Sequence, residues 1–135
     1  MSFVLDCSVA MAWVFADERN ESTDALRESL VQDNAVVPAL WPIEVGNVLL
    51  VATRRGRITK AEWPRVCDDL LALPIDIDPV SSERVLRTVL PLAETNNVSV
   101  YDAMYLELAL RLGMPLATLD QQLAAAGKAN GLVIL

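Results

Sequence analysis

"SVYDAMYLELALRLGMPLATLD", residues 99–120, contains a helix, a strand and two acids in one run, and its reading settles the architecture. Ser99 and Asp102 have the spacing of a capping-box variant, in which a hydroxyl and a carboxylate satisfy N–H groups left unpaired at a helix start. The apolar run that follows predicts a helix ending at Gly113, and Pro115–Leu119 predicts a strand that stops at Asp120. At about 100° per residue, Glu107 and Arg111 form an i,i+4 pair marking the side expected to face water. Asp102 lies roughly 140° from Glu107 on that wheel, so it points toward protein or into a cleft. A carboxylate on that side needs a partner.

Working outward, the same strand-to-helix switch recurs along the chain. "SFVL" is a short apolar strand ending at Asp6, and a nearly all-apolar helical segment around "SVAMAWVF" follows it. An amphipathic helix over about Ser22–Gln32 leads to the strand "AVVPAL". "PIEVGNVLLVATRRG" has Pro at its start and Gly at its end, and Thr59 with Glu62 supplies a capping box for "KAEWPRVCDDLLAL". These two segments predict a helical hairpin. "PIDIDPV" alternates as a third strand, and "SSERVLRTVLPLAETN" is a helix that Pro91 should kink or end. After Asp120, "QQLAAAG" reads as a short helix and "LVIL" as a final strand. The expected fold class is α/β, with a mostly parallel central sheet flanked by helices.

Composition bounds the chemistry. The chain has 135 residues, 53% of them hydrophobic, which fits one domain over residues 1–135 with a single core. The net charge of −7 rules out a large basic field, though not a local patch. Cys7 and Cys67 form no C-x-x-C pair, and a reducing cytoplasm is the expected compartment. The apolar N-terminus lacks a basic region and is interrupted by Asp6, so neither a signal peptide nor a membrane span is expected. Zero histidines exclude Ser-His-Asp and Cys-His catalysis, histidine acid/base chemistry and His-ligated zinc.

Carboxylates are what remain. In open parallel sheets, ligands bind beyond the carboxyl ends of strands, where loops feed helix N-termini. Asp6 and Asp120 stand at such ends, while Glu44 and Asp102 lie in the first turns of helices. Taken singly, each reads simply as a cap or as a first-turn acid facing a helix dipole. Capping does not explain why four acids recur at these edges in apolar segments with no nearby Lys or Arg. Clustered carboxylates raise one another's pKa values unless a cation sits among them. Oxygen ligands without His or Cys select Mg²⁺ or Mn²⁺, and metal-dependent phosphodiester hydrolysis is the chemistry such an ion supports.

The segments "FVLDCSVAMAWVF", "VVPALWPIEVGNVLL", "SVYDAMYLELALRLGMPLATLD" and the following "LAAAG" resemble the PIN-domain ribonucleases, specifically VapC-type toxins, nearly end to end. The resemblance implies a three-layer PIN-like fold and an endoribonuclease whose Mg²⁺ or Mn²⁺ site is lined by Asp6, Glu44, Asp102 and Asp120. Ser8 and Thr118 match hydroxyl positions beside that site, and Asn47 matches the Asn of the family's E-x-x-N segment. The hydroxyls equally suit local backbone bonding, and Asn47 a buried amide. The resemblance also implies an RNA substrate, a homodimer, and a cognate VapB-type antitoxin that lies in an apolar groove and blocks the acids.

Two further features bear on partners. "TRRGRITK" is the one dense basic patch, and Arg54, Arg55, Arg57 and Lys60 either track phosphates or complement a helix C-terminus. Met11, Trp13, Val14, Phe15 and Trp41 are more large apolar groups than the first helices obviously need, and divide between core and an exposed partner surface. A receiver-type or haloacid-dehalogenase-type phosphotransfer domain also places acids at strand ends, but Asp6 has neither an adjacent acid nor a D-x-D. A catalytically inactive PIN-like binding module is the other alternative, although no acid is missing.

Overall fold

In the computed structural model, which describes residues 1–135, each of the four strands is short and the sheet is wholly parallel. β1 (Phe3–Leu5) leads through α1 (Cys7–Val14) and α2 (Glu21–Ser29) to β2 (Ala35–Pro38). α3 (Trp41–Arg54) and α4 (Trp63–Leu71) form the expected hairpin, tied by the Trp63 indole donating to Thr53 Oγ1 at 2.9 Å, and lead to β3 (Ile75–Asp78). α5 (Ser82–Arg84) runs through a π-helical turn (Val85–Val89) into α6 (Leu90–Asn96). α7 (Val100–Leu112), β4 (Leu116–Ala117) and α8 (Gln121–Ala129) complete the order.

The strands lie in the order β3-β2-β1-β4. Phe3 pairs with Ala35 and Val4 with Val36 on one side of β1, while Val4 pairs with Leu116 and Leu5 with Ala117 on the other. Every residue of β1 is at most 1% exposed, so both faces of the sheet are covered and the fold is a three-layer α/β arrangement. That burial is why the first strand reads as an unbroken apolar run. β3 is the edge strand, and its alternating Ile-Asp-Ile-Asp is only half-buried.

Topology locates the site. The chain moves outward from β1 to β2 to β3, then crosses back to lay β4 on the opposite side of β1. The order therefore reverses between β1 and β4. A crevice opens at the carboxyl ends of strands where such a reversal occurs.

Three expectations are refined or corrected. Pro91 does not end the helical run but falls at a local distortion of it, where the preceding turn widens so that Leu90 N–H reaches the Val85 carbonyl. A wider turn absorbs the missing N–H and the ring's clash with the preceding turn. The terminal "LVIL" strand reduces to a single bridge between Leu116 and Ile134. Ile134 lies close against Gly127, where an added Cβ would come within 2.7 Å of the movable end of the Ile134 side chain. Glu107 does not face water: it is 7% exposed, and its carboxylate accepts from Arg111 at 2.8 Å. Arg111 also reaches Asp78 at 2.7 Å, so this side of α7 faces β3 and α5.

The apolar excess near the first helices is core. Met11, Phe15 and Trp41 are buried, while Trp13 and Val14 are half-buried against the same cluster. Trp13 also donates to the Thr23 carbonyl at 2.7 Å, fixing α2 against α1.

Candidate metal centre

Asp6 lies at the end of β1, between the last pairing with β4 and the start of α1. Its backbone N–H still donates to the Ala117 carbonyl at 3.0 Å, so the sheet itself fixes its position. Although it precedes a helix, its side chain makes no capping bond. It is instead 6% exposed and bonded to Ser8 and Thr118 at the β1–β4 edge.

Two hydroxyls hold it there. Ser8 Oγ donates to Asp6 Oδ2 at 2.5 Å, and Thr118 Oγ1 donates to the same oxygen at 2.8 Å. Ser8 Oγ accepts from Leu119 N–H at 2.9 Å, and Thr118 Oγ1 from Asp120 N–H at 3.0 Å. Because each hydroxyl already accepts from backbone, its own proton is directed at the carboxylate. The arrangement ties Asp6 to the β4–α8 turn through Oδ2, and the Ser8 backbone N–H also lies against the carboxylate.

The other acids follow the same pattern. Asp120 caps α8 by accepting from Leu123 N–H with Oδ1 at 2.9 Å, as its position before the helix predicts. Glu44, in the first turn of α3, accepts through Oε1 from the hydroxyl of the fully buried Tyr105 on α7. Asp102 donates its backbone N–H to Ser99 Oγ at 3.0 Å. Ser99 alone is the cap, so only half of the predicted capping box forms and the Asp102 carboxylate is free. The Asp102 carboxylate is thus unengaged, and Glu44 and Asp120 each keep one oxygen free of a protein donor.

Their electrostatics are coupled. Burial pushes the Asp6 carboxyl above the usual range, the Ser8 and Thr118 hydrogen bonds oppose this, and Asp120 adds to it. Glu44 is raised by burial and by Asp6 and Asp102, against the lowering effect of Tyr105. Asp102 is raised by burial, then by Asp120 and Asp6. The neighbouring Cys7 thiol is pushed up to about 12, chiefly by burial and then by Glu44 and Asp6, so it is no nucleophile. No Lys or Arg forms a salt bridge with any of the four acids.

The side chains are drawn together without closing on one point, since no three Cys, Asp or Glu side chains form a ready metal cage. A Mg²⁺-like ion does not require one, because it retains several waters and takes one or two carboxylates directly. A donor set of hard oxygens, mutually repelling and without a cationic partner, fits such an ion.

The flanking residues differ in placement. Asn47 is exposed on α3 rather than a buried amide. In the basic patch, Arg57 is committed within the fold: it bonds Asp17 at 3.0 Å and Glu18 at 3.0 Å, and sits 4.1 Å above the Phe15 ring. Arg54, Arg55 and Lys60 are exposed and form no salt bridge. Tyr105 was not marked from the sequence. A phenol one turn after Asp102, within the apolar stretch of α7, is the available signal.

Comparisons with known proteins place the chain in a family. The PIN domain model matches residues 3–129. Ribonuclease VapC3 of Pyrobaculum aerophilum is 32% identical over 124 residues, covering 92% of this chain and 93% of that protein. Ribonuclease VapC1 of Mycobacterium tuberculosis is 35% identical over 108 residues, covering 80% of this chain and 79% of that protein. Among solved structures, a Pyrobaculum aerophilum protein superposes with a TM-score of 0.74 at 23% identity, covering 99% of this chain and 89% of its own. VapBC2 of Rickettsia felis, bound to a DNA fragment from its promoter, gives 0.67 at 11% identity, covering 100% and 98%. Those two share the fold. With the family model spanning almost the whole chain and the VapC relatives aligned along most of it, this chain belongs to the PIN-domain family, with the VapC-type ribonucleases.

Proposed function

We propose that the chain is a Mg²⁺- or Mn²⁺-dependent endoribonuclease, the toxin of a toxin–antitoxin pair. The observation that carries this reading is the set Asp6, Glu44, Asp102 and Asp120, gathered at the β1–β4 reversal with no Lys or Arg to neutralise it.

Asp6, as the most deeply held acid, and Asp102, with its carboxylate unengaged, are the primary ligands; Glu44 and Asp120 act directly or through water. A divalent cation bound there supplies electrophilic polarisation of a phosphodiester and acidifies water at the site, the work histidine does elsewhere. The chain's own contribution is orientation. Ser8 and Thr118 hold Asp6 by one oxygen, Tyr105 holds Glu44 by one oxygen, and the α8 N-terminus holds Asp120. Each of these contacts fixes one oxygen of its acid.

Partners follow from the relatives rather than from this chain's geometry. The VapC names imply a cognate VapB-type antitoxin that covers the acids, and we extend to this chain a homodimer and a cytoplasmic location. No helix is long and apolar enough to cross a membrane, and both cysteines are free. Arg54, Arg55 and Lys60 remain available to RNA phosphates, contributing affinity without base choice.

The test is cleavage of structured RNA by purified, antitoxin-free protein with Mg²⁺ or Mn²⁺, against EDTA and against Asp6→Asn and Asp102→Asn. Activity should fall by at least about 100-fold in each control, the scale of a lost transition-state charge contact. Cutting that survives EDTA or both substitutions contradicts the mechanism.

A further inference from the structure

The largest cavity in the molecule is not the acidic crevice. A groove of about 700 Å³ runs along the Glu107–Arg111 side of α7, walled opposite by the helical run Ser82–Asn96. Its size falls in the range of small-molecule sites, about 300–1,000 Å³. Thr88, from the π-helical turn, and Pro91 line it. Both are exposed, so the core does not require the widened turn they share. Turns of this kind are found mostly at functional sites.

Two arginines line this groove, and they are unequally engaged. Arg111 donates through Nε to Glu107 at 2.8 Å and through Nη2 to Asp78 at 2.7 Å. Arg84 donates only from Nη1, to Asp78 at 3.4 Å and to the Pro79 carbonyl at 3.3 Å, both long contacts. Its Nε stands 3.9 Å from Glu107, beyond hydrogen-bond reach, and its Nη2 has no partner. The Nε–H and Nη2–H pair is the side of a guanidinium whose two parallel bonds match the two oxygens of one carboxylate. In Arg84, half-buried, that side is vacant, and Leu92 and Leu110 line the same cavity. An occupant that fits has one planar anionic end and an apolar body. Asp78 and Glu107 already stand behind the arginines, so a single negative charge suits the site better than a double one.

We propose that this cavity binds a small carboxylate carried on an apolar body, held side-on by Arg84 through Nε–H and Nη2–H while Leu92 and Leu110 cover the body. Arg111 keeps Glu107 and Asp78 occupied, which leaves the Arg84 fork to the ligand. The site is separate from the four acids and does not depend on the ribonuclease reading. Its occupant bridges the Ser82–Asn96 run to α7, and stabilises the fold because it binds the folded state alone.

The experiment uses the full chain, stripped of divalent ions on a chelating resin and kept in chloride buffer, so that no cation at the acidic centre attracts the anion. Benzoate is the probe, with benzyl alcohol and phenyl phosphate as comparisons, read by isothermal titration and by amide chemical shifts. Benzoate should bind one site with a dissociation constant of about 1 mM or tighter, within reach of a ligand of its size. The shifted amides should lie in Ser82–Asn96 and the C-terminal half of α7. Arg84→Gln should weaken binding at least about tenfold, the scale of lost hydrogen bonds to a charged group. Leu110→Trp fills the cavity from a position that is 37% exposed and leaves both arginines in place, and should weaken binding as much. Benzoate should raise the Tm of wild type and of neither variant, and circular dichroism checks that both variants fold. The absence of saturable binding, shifts centred on the four acids, or unchanged affinity in Leu110→Trp overturns the proposal. Benzyl alcohol binding as tightly as benzoate removes the role given to Arg84, and phenyl phosphate bound in preference to benzoate overturns the carboxylate assignment. A molecular size by size exclusion that falls in Leu110→Trp, with no benzoate shift in wild type, gives the cavity to a second copy of the chain instead.

Discussion

Helix α7 carries two acids with opposite fates. Glu107 is 7% exposed and meets Arg111 and Arg84, which also bind Asp78 on the edge strand. Asp102, little more than one turn earlier, joins Asp6, Glu44 and Asp120, where no arginine reaches. In the first cluster Arg111 is held above its ordinary range by Glu107 and then Asp78, so each charge favours the other. In the second, burial and mutual repulsion raise Asp6, Glu44 and Asp102. The folded state therefore binds protons at these three acids more tightly than the unfolded chain does. Their contribution is fully present below the ordinary carboxylate pKa and is lost as pH rises through the raised values. At neutral pH, without a cation, the second cluster opposes folding. A fold that supplies two arginines to one acidic cluster and none to the other distinguishes fastening from function.

The largest effect should come from breaking the compensated cluster. Glu107→Ala takes one partner from Arg84 and Arg111, and should lower unfolding free energy by about 2 kcal/mol, the scale of hydrogen bonds to a charged group, because both arginines are partly exposed and keep Asp78. Urea denaturation measures it. A loss below about 0.5 kcal/mol would remove the contrast between the clusters, since surface pairs already account for that much.

A smaller effect sharpens the other side. Tyr105→Phe deletes the one side-chain donor to Glu44 without leaving a buried donor unpaired. The stability change should be about 1 kcal/mol, typical of a single net hydrogen bond, because half-buried Glu44 can turn to water. Mn²⁺ affinity by isothermal titration should drop severalfold as Glu44 loses its orientation. Unchanged affinity would limit the tyrosine to packing.

These contrasts were unevenly legible in the sequence. Asp6 and Asp120 stand where apolar strands stop, and strand ends are visible locally because buried parallel strands are unbroken apolar runs. Asp102 stood out against an apolar helix. The arginine network did not, since it joins Asp78, Arg84, Glu107 and Arg111 across three elements. A helical wheel knows only the i,i+4 pair, and so assigns Glu107 to water. Arg57 misleads for the same reason: it sits in a basic run, but Asp17, Glu18 and the Phe15 ring that occupy it lie some 40 residues earlier. The π-turn before Pro91 was hidden because a proline announces a misfit without saying how the helix absorbs it.

The central claim is that the acidic centre is uncompensated because a divalent cation completes it. Its most direct test is urea unfolding of wild type and Asp102→Asn at neutral pH, in EDTA and in saturating Mn²⁺. In EDTA, Asp102→Asn should be at least as stable as wild type, because it removes a repelled charge while Ser99 still caps the helix. Saturating Mn²⁺ should then stabilise wild type by about 2.7 kcal/mol at 100 times its dissociation constant, and Asp102→Asn far less, reversing their order. A wild type indifferent to Mn²⁺, with Asp102→Asn destabilised in EDTA, would show Asp102 to be a fastener after all.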